Sequence, residues 1–157
     1  MELGHGEKAK KLFMEGYNCS QAVLGAFCDE CGMDFETAMK LSSSFGGGMG
    51  RLREVCGAVS GMFMVAGLIY GYDDPKGQKE KTEHYERIQK LAQEFQKENG
   101  SIVCRELLGL TEKKSEPVPE IRTEQYYKKR PCPEMVKMAA EIMEQYIKEH
   151  TKDKDSE

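Results

Sequence analysis

The sequence predicts an all-α fold, a compact helical bundle of about five to seven helices. Three observations predict it: apolar residues recur at helical spacing along most of the chain, glycine, proline and cap residues punctuate those runs, and no stretch sustains strand alternation. A length of 157 residues matches one domain with room for an apolar core, so no disulfide is required to hold it together. That domain is expected over residues 1–150, with a disordered tail at 151–157.

The elements follow in order. From residue 7 to 27 the apolar positions are Phe13, Tyr17, Val23, Leu24 and Phe27, and Gly16 and Asn18 interrupt the run. With Asn18 as an N-cap, Cys19 opens a second segment and shares a face with Ala22, Val23 and Ala26. Asp34 caps a short helix to about Ser43. Phe45-Gly46-Gly47-Gly48-Met49-Gly50 is a break, read mainly as a tight turn that brings backbone close to another helix and positions Cys56. Helix is expected again from near Leu52 to Tyr70, with Gly57 and Gly61 allowing a close crossing.

Beyond a turn-rich connection, residues 78–99 alternate charge with Tyr85, Ile88, Leu91, Ala92 and Phe95, an amphipathic helix closed by Gly100. Ser101 is expected to cap a short helix containing Val103, Cys104, Leu107 and Leu108, and residues 111–120 read as an exposed connection. The last helix starts at Pro131-Cys132-Pro133 and runs toward Lys148 with Met135, Met138, Ala139, Ile142 and Tyr146 on one face.

A formal net charge of -4 gives no whole-protein attraction to nucleic acid, and no nucleic-acid partner is expected. The longest uncharged stretch, Val55 to Tyr70, is shorter than the roughly 20 residues that span a bilayer, so no transmembrane segment is expected. No apolar run follows the basic residues near the start, which disfavours export and points to a cytoplasmic location.

Six cysteines in a reducing compartment argue for thiol chemistry or metal binding, against a background in which free cysteine often simply fills core space. Cys19, Cys56, Cys104 and Cys132 each fall at or near an expected helix start, where free amides and the positive dipole end favour a thiolate, and each is followed by apolar residues on a core-facing stripe. Arg51 and Arg53 precede Cys56, Arg105 adjoins Cys104, and Lys128, Lys129 and Arg130 precede Cys132. Cys28 and Cys31 form a CxxC, but Asp29, Glu30 and the adjacent Gly32 set it at an acidic helix C-terminus that opposes a thiolate. His84, offset from the Tyr85 stripe, reads as a packing or surface residue.

Cys56-Gly57-Ala58-Val59-Ser60-Gly61 resembles the CGAxxG motif of the C_GCAxxG_C_C family, and Cys19, Cys104 and Cys132 match its other cysteines in order. The surrounding Gly16-Tyr17-Asn18-Cys19, Phe45-Gly46-Gly47-Gly48 and Cys132-Pro133 segments extend the resemblance over roughly residues 10–145. It implies a redox role without specifying a substrate.

The expectation is a redox-active protein whose cysteines at 19, 56, 104 and 132 converge for thiol–disulfide exchange or electron transfer, as in a thiol-disulfide oxidoreductase. Cys56 is the expected attacker and Cys132 the expected resolver, acting on a redox partner protein or a small thiol or disulfide substrate. Two alternatives stay open. One is an iron-sulfur cluster or zinc held by Cys19, Cys56, Cys104 and Cys132. The other is a helical protein-interaction domain with structural cysteines, with a homodimer as a further open arrangement.

Overall fold

A computed structural model describes residues 4–110 and 114–155. The observed elements are α1 (His5–Met14), α2 (Cys19–Ala26), α3 (Cys28–Cys31), α4 (Phe35–Ser42), a 3-10 turn (Ser43–Phe45), α5 (Gly46–Met49), α6 (Gly57–Tyr70), α7 (Gln78–Asn99), α8 (Cys104–Leu107), α9 (Glu124–Lys129) and α10 (Cys132–Asp155). The fold is all-α, as predicted, and its helical segments outnumber the five to seven expected because loops break into single turns. Among the described residues the β pairing amounts to one antiparallel bridge between Val55 and Val103.

The centre of the bundle is α6, whose sequence is apolar all round. It buries Ala58, Val59, Met62, Val65 and Ala66, while Leu68 near its C-terminal end is exposed. Helices α2, α7 and α10 pack against it, and α1 lies across α2 and α10. Phe13, Phe27 and Phe95 are essentially fully buried between these layers, each contributing about 1.5–3 kcal/mol of transfer free energy. Gly61 marks the expected close crossing: a Cβ there would lie 2.8 Å from the Ser20 carbonyl oxygen and 2.9 Å from the Val23 Cβ.

Caps fix several boundaries. Asn18 closes a full capping box, its side chain accepting from Gln21 N–H at 2.9 Å while Gln21 Oε1 accepts from Asn18 N–H at 3.0 Å. Asp34 accepts from Thr37 N–H at 2.9 Å, and Gly100 ends α7 in the left-handed region.

Three boundaries differ from the sequence expectation. Helix α6 begins at Gly57 and not near Leu52, because Arg51 and Arg53 adopt left-handed φ values of 67° and 62° and Val55 enters the bridge. Helix α8 starts at Cys104, since Ser101 Oγ accepts from Val103 N–H and so forms a turn ahead of the helix. Helix α10 continues to Asp155, and residues 156–157 of the expected tail lie outside the described residues. Among the described residues no helix is long and apolar enough to cross a membrane.

Candidate active site

The sequence expectation that cysteines open helices is met at each of the four positions. Cys19, Cys104 and Cys132 are the first residues of α2, α8 and α10, and Cys56 is the N-cap of α6. Local pairing holds two of them side by side. Cys56 N–H donates to the Ile102 carbonyl at 2.8 Å and Cys104 N–H to the Glu54 carbonyl at 2.6 Å, flanking the Val55–Val103 bridge.

The glycine-rich loop lies against both strands of this pairing. Gly47, Gly48 and Gly50 take φ of 69°, 70° and 61°, and Met49 between them takes 70°. The loop folds back so that Glu54 N–H donates to the Gly48 carbonyl at 2.9 Å. Gly48 has no room for a side chain: a Cβ would sit 2.6 Å from the Cys104 Cβ and 2.8 Å from both Arg53 Cα and Glu54 N. Gly57 plays a similar part for α2, where a Cβ would be 3.1 Å from the Cys19 Cβ and from Ser20 N. Small residues therefore let the chain bring four helix starts to one place.

That place is a cavity of about 310 Å³ lined by Cys19, Cys56, Cys104 and Cys132. Among the described residues, four arginines, Arg51, Arg53, Arg122 and Arg130, share the lining with a single carboxylate, Glu120. Arg53 is 4% exposed; its Nε donates to Ser115 Oγ at 2.9 Å and its Nη1 to Cys104 Sγ at 3.6 Å. Arg122 donates to the Phe13 carbonyl and, at 2.8 Å, to the Tyr17 carbonyl, with its guanidinium 4.1 Å from the Phe13 ring centroid. Arg130 is paired with Glu120 at 2.7 Å. Residues 115–120, expected to be a plain exposed connection, supply Pro117, Pro119 and Glu120 to the lining, whereas Thr111, Glu112 and Lys113 lie outside the described residues.

The four thiols are not electrostatically equivalent. The strongest influence on Cys19 and Cys132 is their effect on each other, which holds the Cys19 proton well above the usual thiol range and lowers Cys132. Burial opposes the Cys132 thiolate, while Arg130, Arg122 and Arg53 favour it, so of the two thiols Cys132 ionises the more readily. Burial pushes Cys56 up to about 12 even though the nearby amides of Ala58 and Val59 act to lower it. Burial also raises Cys104, against the lowering effect of the Arg53 bond.

These directions redistribute the cations that the sequence placed by adjacency. Arg53 was expected to activate Cys56, but its left-handed backbone directs the guanidinium to Cys104. Arg105, next to Cys104 in sequence, instead pairs with Glu54 at 3.2 Å. Arg122 was not anticipated at all; nothing in the local pattern of residues 111–123 links it to a cysteine, and its approach to Cys132 depends on its tertiary anchors at Phe13 and Tyr17.

The remaining candidates stand apart. Cys28 and Cys31 do not line the cavity; burial and then Asp29 raise Cys28, and burial and then Cys28 raise Cys31 to about 11. All six cysteines are free thiols. His84 is buried beside Arg87, with 2.8 Å between Nδ1 and Nη1, in keeping with a packing role. Among the described residues no three His, Cys, Asp or Glu side chains are grouped so as to hold a metal ion.

No curated protein and no solved structure matches this chain. A family described as "Putative redox-active protein (C_GCAxxG_C_C)" matches residues 17–146, a span that contains all four cavity cysteines and the glycine-rich loop. By that match the chain belongs to the C_GCAxxG_C_C family of redox-active proteins.

Proposed function

We propose that this protein carries out thiol–disulfide exchange, with Cys132 as the attacking thiolate and Cys19 as the resolving thiol. The observation that carries the reading is that Cys19 and Cys132 line the same arginine-lined cavity, where Cys19 is raised and Cys132 is lowered. A thiolate is the nucleophile in exchange, and a second thiol in contact is what resolution of the mixed disulfide needs. The roles thus differ from those expected from sequence: Cys56, raised to about 12, and Cys104 remain protonated at neutral pH and are assigned supporting parts.

The cycle balances as follows. The Cys132 thiolate attacks one sulfur of a substrate disulfide, its S–S bond breaks, and the departing half takes the proton that Cys19 releases. The Cys19 thiolate then attacks the Cys132 sulfur, forming a Cys19–Cys132 disulfide and expelling the other half as a thiolate, which takes a proton from water. The substrate gains two electrons and two protons, and a dithiol reductant returns the protein to its reduced form.

The test is single-turnover reaction of the reduced protein with an aromatic disulfide whose released thiolate absorbs light. Cys132→Ser is expected to remove the fast phase at neutral pH. Cys19→Ser should stop at a mixed disulfide on Cys132, releasing half the thiolate. A Cys132→Ser protein that reacts at the wild-type rate would overturn the assignment, and loss of the fast phase in Cys56→Ser alone would return the attacking role to Cys56.

A further inference from the structure

We infer that the substrate is a small disulfide bearing carboxylates or similar anionic groups near its sulfurs, taken up as a free molecule and not as a disulfide on a protein. This names the substrate class of the exchange site proposed above and rests on that reading.

Charge is the first reason. The chain as a whole is acidic, at -4, yet among the described residues the cavity is lined by four arginines and one carboxylate. That carboxylate, Glu120, is already paired with Arg130. The other three arginines are held by neutral acceptors: Arg51 by the Glu116 carbonyl at 2.6 Å, Arg53 by Ser115 Oγ and the Cys104 thiol, Arg122 by the carbonyls of Phe13 and Tyr17. Among the described residues none of these three has a carboxylate within ion-pair distance. Neutral acceptors fix a guanidinium in place without cancelling its charge, and a partly buried positive charge is stabilised by an anion that comes to it. Even with Cys132 ionised, as exchange requires, the four arginines outnumber the negative groups among the described lining residues, which leaves room for an incoming anion.

Size and access are the second reason. A cavity of about 310 Å³ is at the small end of the roughly 300–1,000 Å³ range of small-molecule sites. Cys132 is 8% exposed and Cys104 7%, so exchange must take place inside the lining. A disulfide in a folded protein would have to bring its flanking backbone into the same space. A short, flexible, charged disulfide does not.

The test uses the full reduced protein and three short disulfides that differ in charge: dithiodipropionate, hydroxyethyl disulfide and cystamine, which are anionic, neutral and cationic. Each rate is divided by that of free mercaptoethanol with the same disulfide, which removes intrinsic reactivity. Insulin serves as a protein-borne disulfide. The anionic probe is expected to exceed the neutral one by about tenfold, the scale of electrostatic focusing in a charged cleft. The cationic probe and insulin should be slowest, and added sodium chloride should erode the anionic advantage.

Arg51→Gln keeps a donor for Glu116 and should lower the anionic-to-neutral ratio. If that variant does not fold, the salt titration of the wild-type protein still decides. Equal normalised rates, salt-insensitive selectivity, or insulin as the fastest substrate would overturn the anionic small-molecule class while leaving exchange intact. No reaction with any of the four would overturn both.

Discussion

Gly48→Ala tests the construction of the site through one methyl group. At Gly48 φ is 70°, a region that costs a residue with a Cβ about 1–2 kcal/mol. The added Cβ would also stand 2.6 Å from the Cys104 Cβ and 2.8 Å from the backbone at Arg53 and Glu54, atoms that cannot rotate away. Overpacking of that kind costs about 1–3 kcal/mol, so the variant should lose about 2–5 kcal/mol in total. Gly50→Ala is the matched control. Its φ is 61°, but the nearest atom to a new Cβ is the Ser44 carbonyl oxygen at 3.8 Å, so only the backbone cost of about 1–2 kcal/mol remains. Urea unfolding of both variants, compared at equal slope, gives the difference directly. Equal losses in the two would refute the claim that Gly48 is needed for close approach of the loop to Cys104.

Asn18→Ala should cost about 1 kcal/mol by removing the cap of α2, and Asn18→Asp should recover most of it; urea midpoints check both. Arg53→Gln should destabilise by about 1–3 kcal/mol through loss of bonds to Ser115 and Cys104. It should also move the midpoint of Cys104 alkylation to higher pH, since the Arg53 bond lowers that thiol. Alkylation followed against pH should find Cys132 reactive below pH 9 and Cys56 still protected there, because Cys132 is lowered from 9.0 and Cys56 is raised to about 12. A folded-state pKa above the unfolded one contributes stability that is complete below the unfolded value and lost above it. Cys56 should therefore make urea stability fall as pH rises from about 9 toward about 12, a trend that Cys56→Ala should weaken.

Much of this site could be read in the sequence because its signals are local. A cap such as Asn18, a glycine run and a cysteine at a helix start each depend on neighbours within a few residues, and the structure places all four cysteines where those signals set them. The partners of the sulfurs could not be read in the same way. Adjacency suggested Arg53 for Cys56 and Arg105 for Cys104, but left-handed φ at Arg53 turns its side chain to Cys104, and Arg105 finds Glu54. Arg122 reaches the cavity only through the carbonyls of Phe13 and Tyr17, more than a hundred positions away. The helix expected from Leu52 failed for a related reason. Residues 53–56 exchange helical bonds for pairing with residues 102–105, a long-range competitor that periodicity does not register.

The most direct test of Cys132 and Cys19 as the working pair is to map the disulfide that forms in the wild-type protein. Reduced protein would be reacted with less than one equivalent of hydroxyethyl disulfide, its free thiols alkylated, and the linked peptides identified by mass spectrometry. A peptide joining Cys19 to Cys132 is the predicted product. A dominant Cys28–Cys31 link, or a disulfide from Cys56 with Cys19 and Cys132 both still alkylated, would contradict it.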